Sequence, residues 1–252
     1  MTARPSNPYL DPPHPIAFAH RGGVGEHPEN TLPAFEHAVD LGFRYLETDV
    51  HATADGALVA FHDEDLGRTC GIDAQIGDLS WNELSEVRVD GVAPIPRLGD
   101  LLERFPDARF NIDAKADGAI EELAAVIERT GSLERVCLAS FSSRRLRKLR
   151  KLLGPRLLTN IGPAGIAALS VLGRLPGSHP QAAQVPPSQG WYTVVDERFV
   201  RNAHRAGIPV HVWTIDEPDE MHRLLDLGVD GIMTDRPEVL REVFESRGIW
   251  PT

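Results

Sequence analysis

Short apolar runs alternate with segments of helical periodicity along most of the chain. The apolar runs are IAFAH (16–20), YLETDV (45–50), LVAFHD (58–63), RFNIDAK (109–115), VCLASF (136–141), RLLTNI (156–161), VHVWTI (210–215) and GIMTD (231–235). Each has the length of a buried strand. Between most of them, LPAFEHAVDLG, WNELSEVRV, LGDLLERF, IEELAAVIERTG, RRLRKLRKLL, DERFVRNAHRAG and DEMHRLLDLG space their apolar residues as amphipathic helices do. Strand–helix alternation over 252 residues predicts an α/β fold, a single-domain (β/α)8 TIM barrel, with a doubly wound open sheet as the runner-up.

One connection departs from the pattern. Between Val50 and Leu58 lie seven residues, HATADGA, with an Asp55-Gly56 turn signal. That is too short for a parallel crossover and suits a hairpin. The strand bearing His62 is therefore expected to run back antiparallel beside Glu47, or to rise above the barrel rim. QAAQVP (181–186) would then supply the eighth parallel strand. DLGFRYLETD (40–49) also aligns without gaps to DLGVDGIMTD (226–235), each a helix end, a Gly stop and a strand closing in Thr-Asp. The alignment predicts Asp235 at the strand level of Asp49, on the C-terminal rim. Residues 1–14 are Pro-rich and read as an irregular arm before a domain spanning 15–252. Pro and Gly breakers across 162–192 predict a long loop over the barrel mouth, with a short helix, AGIAALSVLG, inside it.

Composition narrows the function. Hydrophobic residues make up 42% and charged residues 25%, as in a soluble globular protein. The net charge of -11 argues against a nucleic-acid binder, which needs a broad basic face. An anionic substrate then requires a local positive site. Cys70 and Cys137 cannot build a disulfide framework, and no CxxC suggests zinc, so both are read as reduced thiols. No apolar run is long enough to span a bilayer, and MTARPSNPYLDPPHP has no signal-like apolar stretch, so the cytoplasm is the expected compartment.

Candidate chemistry gathers at predicted strand ends. His20-Arg21-Gly22-Gly23 sets a proton-transfer group beside a phosphate clamp, with glycines that let a ligand approach the backbone. In the following HPENT, Asn30 or Thr31 is positioned to cap a helix starting at Leu32. Glu47 and Asp49 project to one face of their strand. Two inward carboxylates need positive charge, from a hard divalent cation or from arginines. His62-Asp63 supplies a second strand-end imidazole, and Asp113 and Lys115 again share a face. Only three lysines stand among 26 basic residues, so a Lys on an inner strand suggests a compact charge for a phosphate oxygen, or a pair with Asp113. Trp213 would face inward with His211, either as core or to pack against an alcohol or a quaternary ammonium group. Together these are parts for metal-assisted phosphodiester cleavage. No GxxxxGK[ST], GxGxxG or GxSxG motif supports nucleotide-loop or serine-hydrolase chemistry.

HRGG…HPENT, ETDV…DG…FHD, NIDAK, VHVWTID and DGIMTDRP resemble, in order, the motifs of the glycerophosphodiester phosphodiesterase family, from about Ala19 to Pro237. The resemblance implies a distorted TIM barrel that hydrolyses glycerophosphodiesters to sn-glycerol 3-phosphate and an alcohol. It implies that His20 and His62 are the acid–base pair. It makes Glu47, Asp49 and Asp113 the ligands of one divalent cation, Ca or Mg before Mn. Arg21 and Lys115 become phosphate contacts, and Trp213 a substrate-side aromatic. Where the family usually has Glu, this chain has the shorter Asp113. The short stretch from Asp63 to Arg109 leaves little room for a separate cap domain, so 162–192 is expected to close the site. A lipid-directed lysophospholipase D or sphingomyelinase D-like activity is the nearest alternative, and a non-catalytic phosphate-binding barrel a further one. The basic helix RRLRKLRK (144–151) is read as a solvated outer face rather than a membrane contact.

Overall fold

The computed structural model describes residues 7–10, 15–175 and 179–250. The strands are β1 (Ile16–Ala19), β2 (Tyr45–Ala52), β3 (Leu58–Ala60), β4 (Arg88–Val89), β5 (Ala93–Pro94), β6 (Arg109–Ala114), β7 (Val136–Ala139), β8 (Leu158–Asn160), β9 (Gln181–Val185), β10 (Ser188–Gln189), β11 (Tyr192–Thr193), β12 (Val210–Val212) and β13 (Gly231–Thr234). The main sheet runs β1-β13-β12-β9-β8-β7-β6-β2-β3, and a further β1–β2 pairing closes it. All pairings around the ring are parallel. The result is a TIM barrel ringed by helices, with QAAQV as its eighth parallel strand.

The hairpin strand returns antiparallel as expected, but above the ring rather than beside Glu47, which lies opposite Asn111 of β6. β2 continues past the ring, and β3 returns antiparallel on that extension, with Val50 opposite Ala60 and Ala52 opposite Leu58. The chain then leaves the barrel. Val59, Phe61, Leu66, Ile76, Leu84, Val89 and Ile95 form a buried cluster of their own. The segment expected to have little room is therefore a small satellite beside the barrel.

WNELSEVRV is not one helix. Trp81–Leu84 makes a single turn under a Ser80–Glu83 capping box, and Arg88–Val89 is β4. Asp90 and Gly91 take positive φ (50° and 71°) and turn the chain into β5. The β-branched Val87 and Val89 beside an Asp-Gly turn favour this ribbon over a helix. An additional helix, Pro237–Ser246, follows β13.

Strand alternation divides the packing. Outward residues such as Leu46, Val50, Phe110 and Ile112 pack with helix residues including Phe35, Leu101 and Leu123. Inward residues Ile16, Phe18, Tyr45, Cys137, Leu158 and Met233 cluster with Tyr9 inside the barrel. Tyr9 lies in a 3-10 turn, Pro8–Leu10, and is fully buried. Tyr45 donates its hydroxyl to the Tyr9 carbonyl at 2.5 Å. The rest of the expected irregular arm, 1–6 and 11–14, lies outside the described residues. Among the described residues, no helix is long and apolar enough to cross a membrane.

Candidate active site

β1 ends at Ala19, and His20 begins a 3-10 turn, His20–Gly22. Arg21 sits in the left-handed region (φ 54°), which aims its backbone N–H at Glu47 Oε2, 3.1 Å away. Gly22 and Gly23 continue at φ 81° and 99°. A Cβ on Gly22 would stand 2.9 Å from Ala34, and one on Gly23 2.8 Å from the Pro237 ring. The two glycines thus let the turn pack on its neighbours, rather than opening the backbone to a ligand as expected from sequence. Nor does Asn30 or Thr31 cap the helix Leu32–Asp40 through its side chain. The Thr31 hydroxyl donates to the Pro28 carbonyl at 2.6 Å. Asn30 instead donates to Asp49 Oδ2 at 3.3 Å and accepts from the Thr48 hydroxyl at 2.7 Å.

The register of β2 on β6 sets Glu47 opposite Asn111 and Asp49 opposite Asp113. Lys115 Nζ lies 2.7 Å from Asp49 Oδ1 and 2.8 Å from Asp113 Oδ2. Arg21 Nε approaches Asp49 Oδ2 at 3.3 Å, while its Nη1 donates to Glu29 Oε1 at 3.0 Å. Arg68 holds the same Glu29 from the other side, Nη2 to Oε1 at 2.6 Å.

Both histidines line the mouth, and each leans on an aspartate. His20 Nδ1 is 2.6 Å from Asp235 Oδ1. Asp216 steadies that loop, its Oδ1 accepting from the Asp235 N–H at 2.8 Å and the Thr234 hydroxyl at 2.9 Å. His62 Nδ1 is 2.5 Å from Asp63 Oδ1, and Arg68 Nε donates to the other Asp63 oxygen at 2.5 Å. The Phe61 N–H donates to the Asp49 carbonyl at 2.9 Å, which brings the returning hairpin over β2. A carboxylate on Nδ1 fixes the ring and leaves the second nitrogen for other work. The repeat alignment places Asp235 only partly: it follows the end of β13 with its side chain 32% exposed, whereas Asp49 lies within β2 at 2%.

Burial sharpens the electrostatics. Burial and the neighbouring Asp49 push the Glu47 carboxyl up to about 7, against the pull of His20, Lys115 and Arg21. Burial also works against a charged Asp49, but Lys115 and Arg21 outweigh it and hold this carboxyl below its usual range. For His20, burial opposes the charged ring, yet Glu47 and Asp235 prevail and raise its pKa.

His20, Arg21, Glu47, Asp49, His62, Asp113, Lys115 and Trp213 all line one cavity of about 730 Å³. Trp213 meets Phe141 edge-on, with centroids 5.9 Å apart. The opposite wall comes from the segment expected over the mouth, including Ile166 and Val171 of the helix Pro163–Leu172 and Tyr192 of β11. His211 is not at the mouth: it is fully buried, its ring 5.0 Å from Phe18.

Glu47, Asp49 and Asp113 share the cavity but do not draw together as a preformed cluster. Among the described residues, the three acidic or imidazole side chains whose donor atoms all lie within 4.8 Å of one another are Glu26, His27 and His37, outside the cavity. Lys115 instead bridges Asp49 and Asp113. The donor set still fits a hard cation. It consists of carboxylate oxygens, and burial, with Asp49 beside it, raises the Glu47 carboxyl to about 7, so a cation there would relieve an unfavourably buried charge. Sequence reading did not find Glu29, Arg68, Asn111, Gln184 or Phe141. Glu29 lies inside the HPENT motif, and nothing local marks Arg68.

A TIM barrel with its ionisable groups gathered at the C-terminal mouth defines an enzyme of the barrel class. A profile of the Glycerophosphoryl diester phosphodiesterase family matches residues 20–239. The probable glycerophosphodiester phosphodiesterase 2 of Mycobacterium tuberculosis is 42% identical over 245 residues, covering 93% of this chain and 92% of that protein. The crystal structure of a putative glycerophosphoryl diester phosphodiesterase from Silicibacter pomeroyi superposes with a TM-score of 0.82 at 24% identity, covering 98% of this chain and 100% of that one. An Oleispira antarctica phosphodiesterase, solved with its product sn-glycerol-3-phosphate, gives 0.76 at 25% identity over 92% of this chain and 97% of that one. The chain belongs to the glycerophosphoryl diester phosphodiesterase family. It is a phosphoric diester hydrolase.

Proposed function

We propose that the enzyme hydrolyses glycerophosphodiesters to sn-glycerol 3-phosphate and an alcohol, by proton transfer through His20 and His62 with one divalent cation at Glu47, Asp49 and Asp113. The observation that carries this reading is the pair of imidazoles on one cavity, each held at Nδ1 by an aspartate. One ring takes the proton of the nucleophile, which is water or the substrate's own 2-hydroxyl. The other returns a proton to the departing alkoxide as the P–O bond breaks. With the 2-hydroxyl a cyclic phosphate forms first, and water then opens it to glycerol 3-phosphate with the two ring roles exchanged. Arg21 and Lys115 neutralise the phosphoryl oxygens. Glu47, Asp49 and Asp113 would hold the cation, and Lys115, which bridges Asp49 and Asp113 here, would answer a phosphoryl oxygen beside them. Trp213 packs against the alcohol. The cation, Ca, Mg or Mn, supplies Lewis-acid polarisation of the phosphoryl group. Asp235 and Asp63 position the rings, and Glu29 positions Arg21.

The test is release of glycerol 3-phosphate from glycerophosphocholine after chelation, then with Ca, Mg or Mn restored. Release that stops on chelation and returns with a cation is expected. Undiminished release after thorough chelation removes the metal from the reading, and no release with any cation removes this substrate.

A lysophospholipid substrate is the second reading. It is favoured by the apolar wall of Ile161, Pro163, Ile166 and Val171, and by Trp191, 96% exposed in the turn between β10 and β11. Lysophosphatidylcholine in the same assay separates the two: faster choline release from it than from glycerophosphocholine selects the lipid.

A further inference from the structure

The loop between the His20–Gly22 turn and the helix Leu32–Asp40 doubles back on itself. The Val24 N–H donates to the Asp235 carbonyl at 2.7 Å, and the Asn30 N–H to the Arg21 carbonyl at 2.8 Å. Asn30 takes a left-handed φ of 57° to close the loop. The fold-back lays His27 over the last turn of the helix, where its ring meets that of His37 edge-on at 5.3 Å. Glu26 completes the group, one donor atom from each of the three lying within 4.8 Å of the others. Glu26 is exposed and both imidazoles are partly buried. A fourth side chain stands behind them: Glu238 Oε1 is 2.6 Å from His37 Nε2. A carboxylate on one nitrogen is the device that orients a metal-ligating histidine and leaves the other nitrogen as donor.

We propose that Glu26, His27 and His37 form a second metal site, on the outer surface of the barrel, for a borderline divalent cation such as Zn²⁺. Two imidazoles and one carboxylate with a position left for water are a zinc donor set. The all-oxygen set of Glu47, Asp49 and Asp113 suits harder ions instead. The site lies outside the cavity, so its occupancy is separable from turnover. Its three side chains lie on the loop and helix beside the mouth and do not line the cavity, and the loop itself is held by the Asp235 and Arg21 carbonyls whether or not a metal is bound.

Zn²⁺ alone is the probe. Equilibrium dialysis of chelator-stripped full-length protein is expected to show a zinc that survives Asp49→Asn but is lost in His27→Ala and in His37→Ala. Glu238→Gln, which removes only the orienting carboxylate, is expected to weaken it by roughly 10–100-fold. Co²⁺ in place of Zn²⁺ should give visible absorption that disappears in the same two histidine variants. Both variants are expected to keep the wild-type circular dichroism spectrum and hydrolytic rate. Zinc binding unchanged in His27→Ala and His37→Ala, or no zinc bound by the wild type, overturns the site. If one alanine variant does not fold, Glu26→Gln and Glu238→Gln decide, and full-strength binding in both overturns it.

Discussion

Along a single barrel interior, two ends carry opposite chemistry on the same strands. At the N-terminal end, Phe18, Tyr45 and Leu158 pack with Tyr9 and exclude water. Two residues further along the same inward faces stand His20, Glu47 and Asn160, and beyond them Asp49. The backbone that orders both ends is continuous, but the side chains are under different demands. Below, packing supplies stability at about 1.5–3 kcal/mol for each large apolar side chain buried. Above, buried charges are tolerated because Lys115, Arg21 and the aspartate–imidazole pairs answer one another. The lower plug holds rigid the strands on which the upper charges are spaced. Stability and chemistry therefore respond to different mutations, although they are separated by only a few ångströms of strand.

The largest expected effect is at the upper end. Alanine at His62 or at His20 should lower glycerol 3-phosphate release by roughly 10²–10⁴-fold, with the thermal melting midpoint little changed. Full activity in both variants would remove the two-histidine reading. At the lower end the pattern should invert. Phe18→Ala should cost about 3–5 kcal/mol in urea unfolding, while activity per folded molecule is retained. A specific loss of turnover in Phe18→Ala would show that the ends are not separable.

The smallest effect is a pH slope confined to the upper end. In the metal-free protein Glu47 titrates at about 7 rather than at its ordinary 4.5. The folded state thus binds more protons between these values, and its stability should decline as pH rises from about 4.5 to about 7. Glu47→Gln should flatten that decline in thermal melts across the window, and an unchanged slope would clear Glu47. Asp49 acts in the opposite sense and lower down: its contribution is lost only as pH falls through a value below 3.8. At the lower end, burial pushes Tyr9 and Cys137 up from their already alkaline values, so neither titrates in this window.

Much of the barrel is legible locally because strand and helix periods differ, and apolar spacing records which is which. The hairpin at β2–β3 is legible for the same reason, since seven residues with an Asp-Gly turn cannot make a parallel crossover. WNELSEVRV misleads because a helical spacing of apolar residues also fits a turn followed by a short ribbon, and the ribbon's partner lies outside the segment. The His-Arg-Gly-Gly glycines mislead because the sequence marks only a need for close approach. What approaches, Ala34 and Pro237, belongs to other elements. The basic helix reads more simply: Leu146 and Leu149 are buried, and Arg144 and Lys148 meet Asp117 and Glu121.

The sequence alone determined which residues stand at strand ends and which face each strand presents, because side-chain alternation is a property of the strand itself. It therefore set Glu47 with Asp49, Asp113 with Lys115 and Trp213 with His211 on shared faces before any contact was known, and marked His20 as a strand-end residue without a face, since His20 lies in the turn after β1. The tertiary structure decided who meets whom. His20 takes its aspartate from 215 residues away because β1 and β13 are neighbours only once the barrel closes. Lys115 rests between Asp49 and Asp113 because β2 and β6 pair in one register out of several. Glu26, His27 and His37 converge because a loop anchored at both ends folds back on its own helix. Each of these depends on distances between segments, which no segment's own pattern contains.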